Sequence, residues 1–170
     1  MNRFTFRIAV ADDTDNVYNL MQNVYNNLEN KSLFVCDDYS FVYDHIFKSG
    51  FIVIACDSMN NAAGCLIVRY PQNDDDNLGK DIGLSDSEKL LVAHMESAVV
   101  LPEYRGNNLQ FKMMKYAEKN IDTRKYKYIL STVSPDNKYS RANLIKSGYR
   151  FVINKLKYNG LSRDIYMKIL

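Results

Sequence analysis

The stretch from Val99 to Met114, VVLPEYRGNNLQFKMM, constrains the fold of this chain more than any other segment. An apolar, β-branched run ends at Pro102, and apolar residues recur at helical spacing from Leu109 onward. A short turn between them contains one arginine, one glycine and two asparagines. The pattern predicts a strand that passes through a tight turn into the first turn of a helix, as in layered α/β folds.

The rest of the chain alternates between strand and helix patterns. Strand patterns cover residues 4–8, 51–57, 62–70, 93–102, 126–133, 149–158 and 161–170. Helical spacing covers a segment from caps at 12–14 to about 29, and then 38–48, 109–121 and 140–148. Asn159-Gly160 is a strong hairpin signal, so the last two strands are predicted to pair. The order β-α-α-β-β-β-α-β-α-β-β predicts an α/β fold with a mixed central β-sheet flanked by helices.

Length and composition exclude several classes of protein. With 170 residues, of which 46% are hydrophobic, the chain is predicted to form one domain, residues 1–170. The net charge of +2 gives no strong attraction to nucleic acid, and no apolar run is long enough to span a bilayer. The N-terminus lacks the apolar block of a signal peptide, so we expect a cytoplasmic protein. The abundance of Asn, Lys, Ile and Tyr favours an AT-rich, bacterial genome.

Neither the cysteines nor the acidic residues form a metal-binding pattern. Cys36, Cys56 and Cys65 lack the spacing of zinc ligands, so we expect reduced thiols in the core. Residues 71–88 are polar and include three consecutive aspartates, 74–76, but a calcium loop requires more ligands at set spacings. We therefore expect no metal site, and we expect residues 71–88 to form a solvated surface loop.

The turn after the proline has the chemistry of an anion site. The first turn of a helix leaves backbone N–H groups without acceptors, and the helix dipole adds partial positive charge there. Arg105 adds a cation, and Gly106 allows a ligand to approach the backbone closely. Asn107 and Asn108 tolerate the left-handed conformation better than most residues. The motifs GxxxxGK[ST] and GxGxxG are both absent. A pyrophosphate site and an ordinary strand-to-helix turn remain as alternatives.

Residues 100–110, V-x-P-x-Y-R-G-x-x-L-Q, resemble the acetyl-CoA pyrophosphate loop of the GNAT family of N-acetyltransferases, V-x-P-x-x-R-G-x-G-I/L-G/A. Residues 137–149, N-x-x-S-…-K-S-G-Y, are similar to the downstream N-x-x-A-…-Y-x-x-x-G-F, and the length and element order also agree. Asn108 stands in place of the second glycine, and Gln110 in place of a small residue. Asparagine is the least costly replacement at positive φ, and backbone N–H groups bind the phosphates, so we expect the loop to survive both changes.

The resemblance implies acetyl-CoA as the co-substrate and assigns its contacts. A strand would pair with the pantetheine arm, a loop would face the pyrophosphate, and one asparagine would contact the arm. These residues are Ala98, Val99 and Val100 on the strand, Arg105, Gly106, Asn107, Asn108, Leu109 and Gln110 in the loop, and Asn137. The strand must diverge from its neighbour at 126–133, so that the pantetheine amides find unpaired partners. Asn137 equally fits a helix N-cap, which stays open as an alternative.

The chemistry of a thioester donor requires a base. An alkylamine is mostly protonated at pH 7 and must lose a proton before it attacks the thioester. Family members often carry a glutamate at the position that His94 holds here, and Glu96 shares that strand face. His94 and Glu96 are therefore the predicted catalytic residues, against the alternatives of a hydrogen-bonded strand histidine and a surface charge. The backbone N–H of Val100 is the expected oxyanion donor.

The proton donor for the leaving thiolate is not evident, because Leu144 occupies the position where the family often has a tyrosine. Tyr139 is near in sequence. Two function classes follow: an enzyme that acetylates a primary amine of a small molecule or peptide, and a non-catalytic acyl-CoA-binding module. The acceptor and the acyl length stay open, and a homodimer paired through the last strand is compatible with the pattern. Residues 74–76 and the helix at 38–48 are expected to border the acceptor entrance.

Overall fold

The computed structural model of the chain describes residues 3–170, so the first two residues of the predicted domain lie outside it. Seven strands form one sheet: β1 (Thr5–Ile8), β2 (Gly50–Cys56), β3 (Ala62–Arg69), β4 (Val92–Val100), β5 (Tyr128–Val133), β6 (Arg150–Lys157) and β7 (Leu161–Ile169). The helices are α1 (Thr14–Asn26), α2 (Tyr39–Phe47), α3 (Asp86–Lys89), α4 (Leu109–Asn120) and α5 (Lys138–Lys146).

The order of the predicted elements is confirmed, with one α-helix added and several ends shifted by one to three residues. The addition is α3, a single turn closed by reciprocal hydrogen bonds between Ser85 and Glu88. Helix α1 ends at Asn26, before the predicted end at 29. Helix α5 begins two residues earlier than predicted, because the Asn137 side chain accepts a hydrogen bond from the Ser140 N–H and caps the helix there.

The strands are arranged in the order β1-β2-β3-β4-β5-β7-β6, and only β4 and β5 are parallel. A parallel pair requires a crossover connection, which α4 provides. The β4–β5 pairing covers three positions and ends at His94 opposite Leu130. Beyond that point the two strands separate, as the resemblance implies, and leave an opening that we call the β4–β5 gap.

Apolar side chains cover the sheet on both faces. On one face α4 and α5 bury Met113, Met114 and Leu144 against the strands. On the other, α1 and α2 bury residues such as Met21 and Val42. Each fully buried side chain of this size contributes about 1.5–3 kcal/mol of hydrophobic free energy. The predicted α/β fold, a mixed sheet flanked by helices, is therefore observed.

The expectation of a solvated surface loop at residues 71–88 is wrong in part. Asn77 and Leu78 are 1% and 4% exposed. Leu78 packs against Val92, Leu130 and Ile165, so the segment covers one end of the sheet. The prediction failed because the apolar residues of this segment follow neither helical nor strand periodicity.

The suggestion of a dimer paired through the last strand is also corrected. Strand β7 lies between β5 and β6, and both of its edges are hydrogen-bonded. The free edges of the sheet belong to β1 and β6. Within residues 3–170, no helix combines the length and hydrophobicity that a bilayer crossing requires.

Candidate active site

The β4–β5 gap is bounded on one side by strand β4, which bulges at Glu96 and Ser97 opposite Ile67. Past the bulge β4 pairs only with β3, and the Leu101 N–H donates to the Ala63 carbonyl of that neighbouring segment. Successive N–H groups of a strand point to opposite edges. The N–H groups of Ala98 and Val100 therefore point into the gap, and the N–H of Val99 points toward β3. The Val99 side chain packs against α1 and α2.

At the end of β4, the loop Arg105–Gln110 presents unpaired backbone N–H groups. Within residues 3–170, no N–H from Gly106 to Phe111 has a hydrogen-bond acceptor; the next one, that of Lys112, donates to the Asn108 carbonyl. Gly106 has φ 81°, and helix α4 starts at Leu109, whose side chain is buried. A run of free amides at a helix N-terminus is a binding site for phosphate oxygens.

Asn108 adopts the left-handed conformation, with φ 57° and ψ 30°. This position therefore needs positive φ, and asparagine meets that need at lower cost than a residue with a branched or bulky side chain. The structure thus gives Asn108 the positive φ that was expected at this position.

Replacing Asn108 by glycine or by valine tests the importance of this conformation. We expect Asn108→Gly to keep coenzyme A affinity within about twofold, because glycine adopts positive φ freely. Valine is strained there by about 1–2 kcal/mol, so Asn108→Val is expected to weaken binding about tenfold in calorimetric titrations. Gln72→Val is the control, because Gln72 has φ 48° in the turn after β3, at the end of that strand opposite to the one beside Val100. Equal affinities of both Asn108 variants would contradict the assignment.

The remaining predicted contacts lie around this loop. The Arg105 side chain is exposed, and its Nε lies 3.4 Å from the Val100 carbonyl oxygen that it contacts. Asn107 Nδ2 donates to the Tyr104 carbonyl at 2.9 Å and so stabilises the turn. Gln110 turns toward α5, where it bonds Ser140 and Asn143, and contributes its backbone alone to the loop. Asn137 caps α5 through Oδ1, which leaves its amide nitrogen without a hydrogen bond inside the described chain.

His94 and Glu96 are brought together on the face of the sheet that α2 covers. His94 is 1% exposed. Its Nε2 accepts from the Leu78 N–H at 3.1 Å, and its Nδ1 therefore donates to Glu96 Oε1 at 2.9 Å. Both ring nitrogens are occupied, so His94 holds Glu96 in place and has no lone pair left to offer an amine.

Glu96 is the group of this pair that remains available. Burial raises its pKa, but the hydrogen bond from His94 and the charge of Arg69 outweigh burial and leave the pKa below its usual value. Arg69 NH1 lies 3.5 Å from Oε1, whereas Oε2 has no hydrogen-bond partner among residues 3–170. Glu96 is thus an ionised carboxylate at neutral pH with one oxygen free to bind an amine or a water.

Arg69, at the end of β3, holds this acidic region together. Its guanidinium forms a bidentate pair with Asp76 and reaches Asp74 at 2.7 Å, in addition to Glu96. The side chain is 10% exposed. Two of the aspartates expected to border the acceptor entrance are therefore ion-paired with Arg69, and the third, Asp75, pairs with Lys80.

A second carboxylate, Asp37, lies beside the bulge of β4 and was missed by sequence reasoning. Its Oδ2 accepts from the Ser97 hydroxyl, and it has no ion-pair partner within residues 3–170. Burial raises its pKa to about 6, with the Ser97 hydrogen bond opposing and the Glu96 charge adding to the increase. No spacing rule connects residues 37 and 97, so only the fold reveals this contact.

His45 on α2 is a further residue of this region. It is 4% exposed, and its Nδ1 lies 2.6 Å from the Phe41 carbonyl, to which it donates. Its Nε2 is buried without a hydrogen-bond partner in the part of the chain that the structure describes. Burial lowers the pKa of His45, and the charges of Glu96 and Arg69 act on it from close by. His45 is therefore a neutral imidazole with a free lone pair.

Replacing Asp37 by asparagine should change stability in a pH-dependent way. The raised pKa means that the folded state binds the Asp37 proton more tightly than the unfolded chain, whose pKa is about 3.9. The resulting stabilisation is complete below pH 4 and is lost as the pH rises through 6. We therefore expect Asp37→Asn to be more stable than the native chain at pH 8, by at most about 3 kcal/mol, and equal to it at pH 4. Urea unfolding at both pH values measures this, and a difference that is constant with pH would contradict it.

The site combines free amides at the end of a strand, a gap along that strand, and a carboxylate at the far end of the gap. A model of the acetyltransferase (GNAT) family matches residues 15–149. The chain belongs to the GNAT acetyltransferase family, whose members transfer an acyl group from acetyl-CoA. A comparison with curated protein sequences gave no significant match.

Solved structures of the same fold include three that illustrate its range. A GNAT-family acetyltransferase from Listeria monocytogenes 4b F2365 is 20% identical, with a TM-score of 0.72 over 98% of this chain and 95% of that chain. The mosquito arylalkylamine N-acetyltransferase like 5b is 17% identical, with a TM-score of 0.69 over 98% of this chain and 100% of that chain. The NatC complex bound to Gag peptide and CoA is 11% identical, with a TM-score of 0.73 over 99% of this chain and 99% of that chain. At these identities the likeness shows the fold alone.

Proposed function

We propose that residues 1–170 form a single N-acetyltransferase domain that moves an acetyl group from acetyl-CoA to a primary amine of a small molecule or a peptide. The observation that carries the proposal is the set of free N–H groups from Gly106 to Phe111 at one end of the β4–β5 gap. The other end of the gap closes beside Glu96. A diphosphate fits the first feature and an extended amide-containing arm fits the second. The thioester, once bound, supplies an activated carbonyl carbon.

Residues of the chain supply binding and proton transfer. The gap-facing N–H groups of Ala98 and Val100 are the donors available to the pantetheine amides and to a developing oxyanion. Arg105 adds positive charge beside the pyrophosphate, and Asn137 offers its free amide nitrogen to the arm. These roles fall at positions expected from the sequence, except that Val99, whose N–H faces β3 and whose side chain is buried, has none.

Glu96 is the proposed base, held in position by His94. Its free oxygen accepts a proton from the acceptor ammonium, directly or through a water, and the neutral amine then attacks the acetyl carbon. The expected role of His94 as the base thus passes to its partner, because both nitrogens of His94 are already bonded. Asp37, with no cation beside it, adds negative charge that favours a cationic amine at this end of the gap.

The test is free-thiol release from acetyl-CoA by the purified chain in the presence of alkylamines, arylalkylamines and peptides with free N-termini. The proposal predicts thiol release that depends on at least one amine, together with the mass increase of one acetyl group on that amine. Binding of acetyl-CoA without turnover on any amine would overturn the enzyme and support a non-catalytic acyl-CoA-binding module.

A further inference from the structure

We propose that Tyr158 is the proton donor to the departing thiolate sulfur, an inference that rests on the proposed function. A thiolate that leaves a tetrahedral carbon is released more easily when an O–H group donates to it. Leu144, at the position where a tyrosine was expected, is 2% exposed and packs in the core. Tyr139 is 87% exposed. Neither of these residues meets the requirement, so the donor must come from elsewhere in the fold.

Tyr158 lies where the reactive end of the arm must lie. The pyrophosphate end is fixed by the loop after β4, and the gap closes at the His94–Leu130 pair. The thioester therefore lies near this closed end, between Glu96 on β4 and the residues that follow Leu130 on β5. Thr132 is two residues beyond Leu130, and its Oγ1 is 3.0 Å from the Tyr158 hydroxyl oxygen.

The other hydroxyl groups near the closed end are engaged. Ser97 donates its O–H to Asp37, and Ser131 donates its O–H to the Met95 carbonyl at 2.8 Å. Thr132 can donate to Tyr158, which leaves the phenolic proton of Tyr158 free to point toward the gap. Tyr158 is therefore the hydroxyl placed to donate to a group in the gap.

The backbone conformation at Tyr158 does not favour a tyrosine, which indicates that the side chain has a role besides forming the turn. Tyr158, Asn159 and Gly160 have φ values of 50°, 62° and 99°. Asparagine and glycine adopt such values readily, whereas a tyrosine there is a strained residue. Strained residues of this kind concentrate at functional sites. The Arg163 guanidinium lies 5.6 Å from the centre of the Tyr158 ring and supports the ring in this position.

The surroundings of the phenol keep it protonated. Tyr158 is 40% exposed, and its partial burial, followed by the charge of Glu96, raises its pKa to about 12, so the O–H is intact at neutral pH. In the proposed step the carbon–sulfur bond breaks, and the proton moves from Tyr158 Oη to sulfur. The Thr132 hydroxyl passes a proton to the phenolate and takes one from water. The attacking nitrogen of the tetrahedral intermediate loses its second proton to water, which offsets the proton taken up through Thr132. The proton that Glu96 removed from the ammonium leaves to solvent, so the products are the amide, the thiol and one released proton.

The experiment measures kcat and both KM values by thiol release for the native chain, Tyr158→Phe and Thr132→Val, with Tyr139→Phe as the control. Tyr158→Phe is expected to lower kcat about 100-fold or more, the usual contribution of a positioned acid, with both KM values changed less than about threefold. Thr132→Val is expected to lower kcat about threefold to tenfold through loss of one hydrogen bond. The Tyr139 variant is expected to keep native kinetics.

An unchanged kcat in Tyr158→Phe, or a defect confined to the acceptor KM, would overturn the assignment while native turnover still supports the proposed function. If Tyr158→Phe does not fold, as judged by circular dichroism, Thr132→Val decides the question, and a native kcat in that variant overturns the assignment. A native chain that releases no thiol with any amine overturns both the proposed function and the role of Tyr158.

Discussion

Glu96→Gln is expected to lower kcat for acetyl transfer at least 100-fold and to leave the affinity for coenzyme A within about twofold. A positioned base contributes about 10²- to 10⁴-fold to a reaction of this kind, and the amide of glutamine cannot accept the ammonium proton. Glutamine keeps the shape of the side chain, and its carbonyl oxygen still accepts from His94 Nδ1, so the dyad remains packed.

The measurement is steady-state thiol release combined with calorimetric titration of coenzyme A. Glu29→Gln is a suitable control, because Glu29 is exposed and follows α1, away from the β4–β5 gap. A Glu96→Gln variant with native kcat would show that the base is a different group. His45, whose Nε2 is buried and free within residues 3–170, would then be the next residue to replace.

Arg69→Met is expected to destabilise the folded chain by about 1–3 kcal/mol. Arg69 is 8% exposed and binds Asp74, Asp76 and Glu96. The Asp74 and Asp76 side chains are 57% and 62% exposed, so water compensates them in part and the cost stays below the about 3–5 kcal/mol of a fully buried pair. Methionine retains most of the apolar stem, so the loss reports mainly on the charge.

Urea unfolding compares Arg69→Met with Arg124→Met, a matched control. The Arg124 side chain is 89% exposed and pairs with Asp122 at 2.9 Å, and an exposed pair of this kind contributes about 0–1 kcal/mol. Equal losses in the two variants would show that the Arg69 cluster contributes no more than a surface ion pair does.

The sequence predicted the elements, and it predicted the strand-to-helix turn of the proposed phosphate site, because both depend on neighbouring residues. Apolar periodicity identified each of the seven strands and every helix except the single turn α3. The loop depends on one arginine, one glycine and the start of a helix, all within six residues. Asn108 was expected to tolerate positive φ, and its φ angle in the structure is 57°.

The rest of the site was not predictable in this way, because it depends on contacts between residues far apart in the chain. Asp37 reaches Ser97 across 60 positions, and Tyr158 reaches Thr132 across 26. The proposal that Glu96, rather than His94, is the base has a related origin. The Nε2 of His94 is occupied by the Leu78 N–H, which belongs to a segment that carries no periodic pattern and was expected to lie in solvent.

The central claim is that the free amides after Arg105 bind the diphosphate of coenzyme A, and calorimetric comparison of two ligands tests it most directly. Coenzyme A carries the diphosphate, whereas pantetheine keeps the amide-containing arm and the thiol but lacks it. The account predicts one binding site for coenzyme A and an affinity for pantetheine at least about 100-fold lower, since charge-assisted hydrogen bonds contribute about 1.5–3 kcal/mol each. Equal affinities for the two ligands, or no heat on titration of coenzyme A, would contradict it.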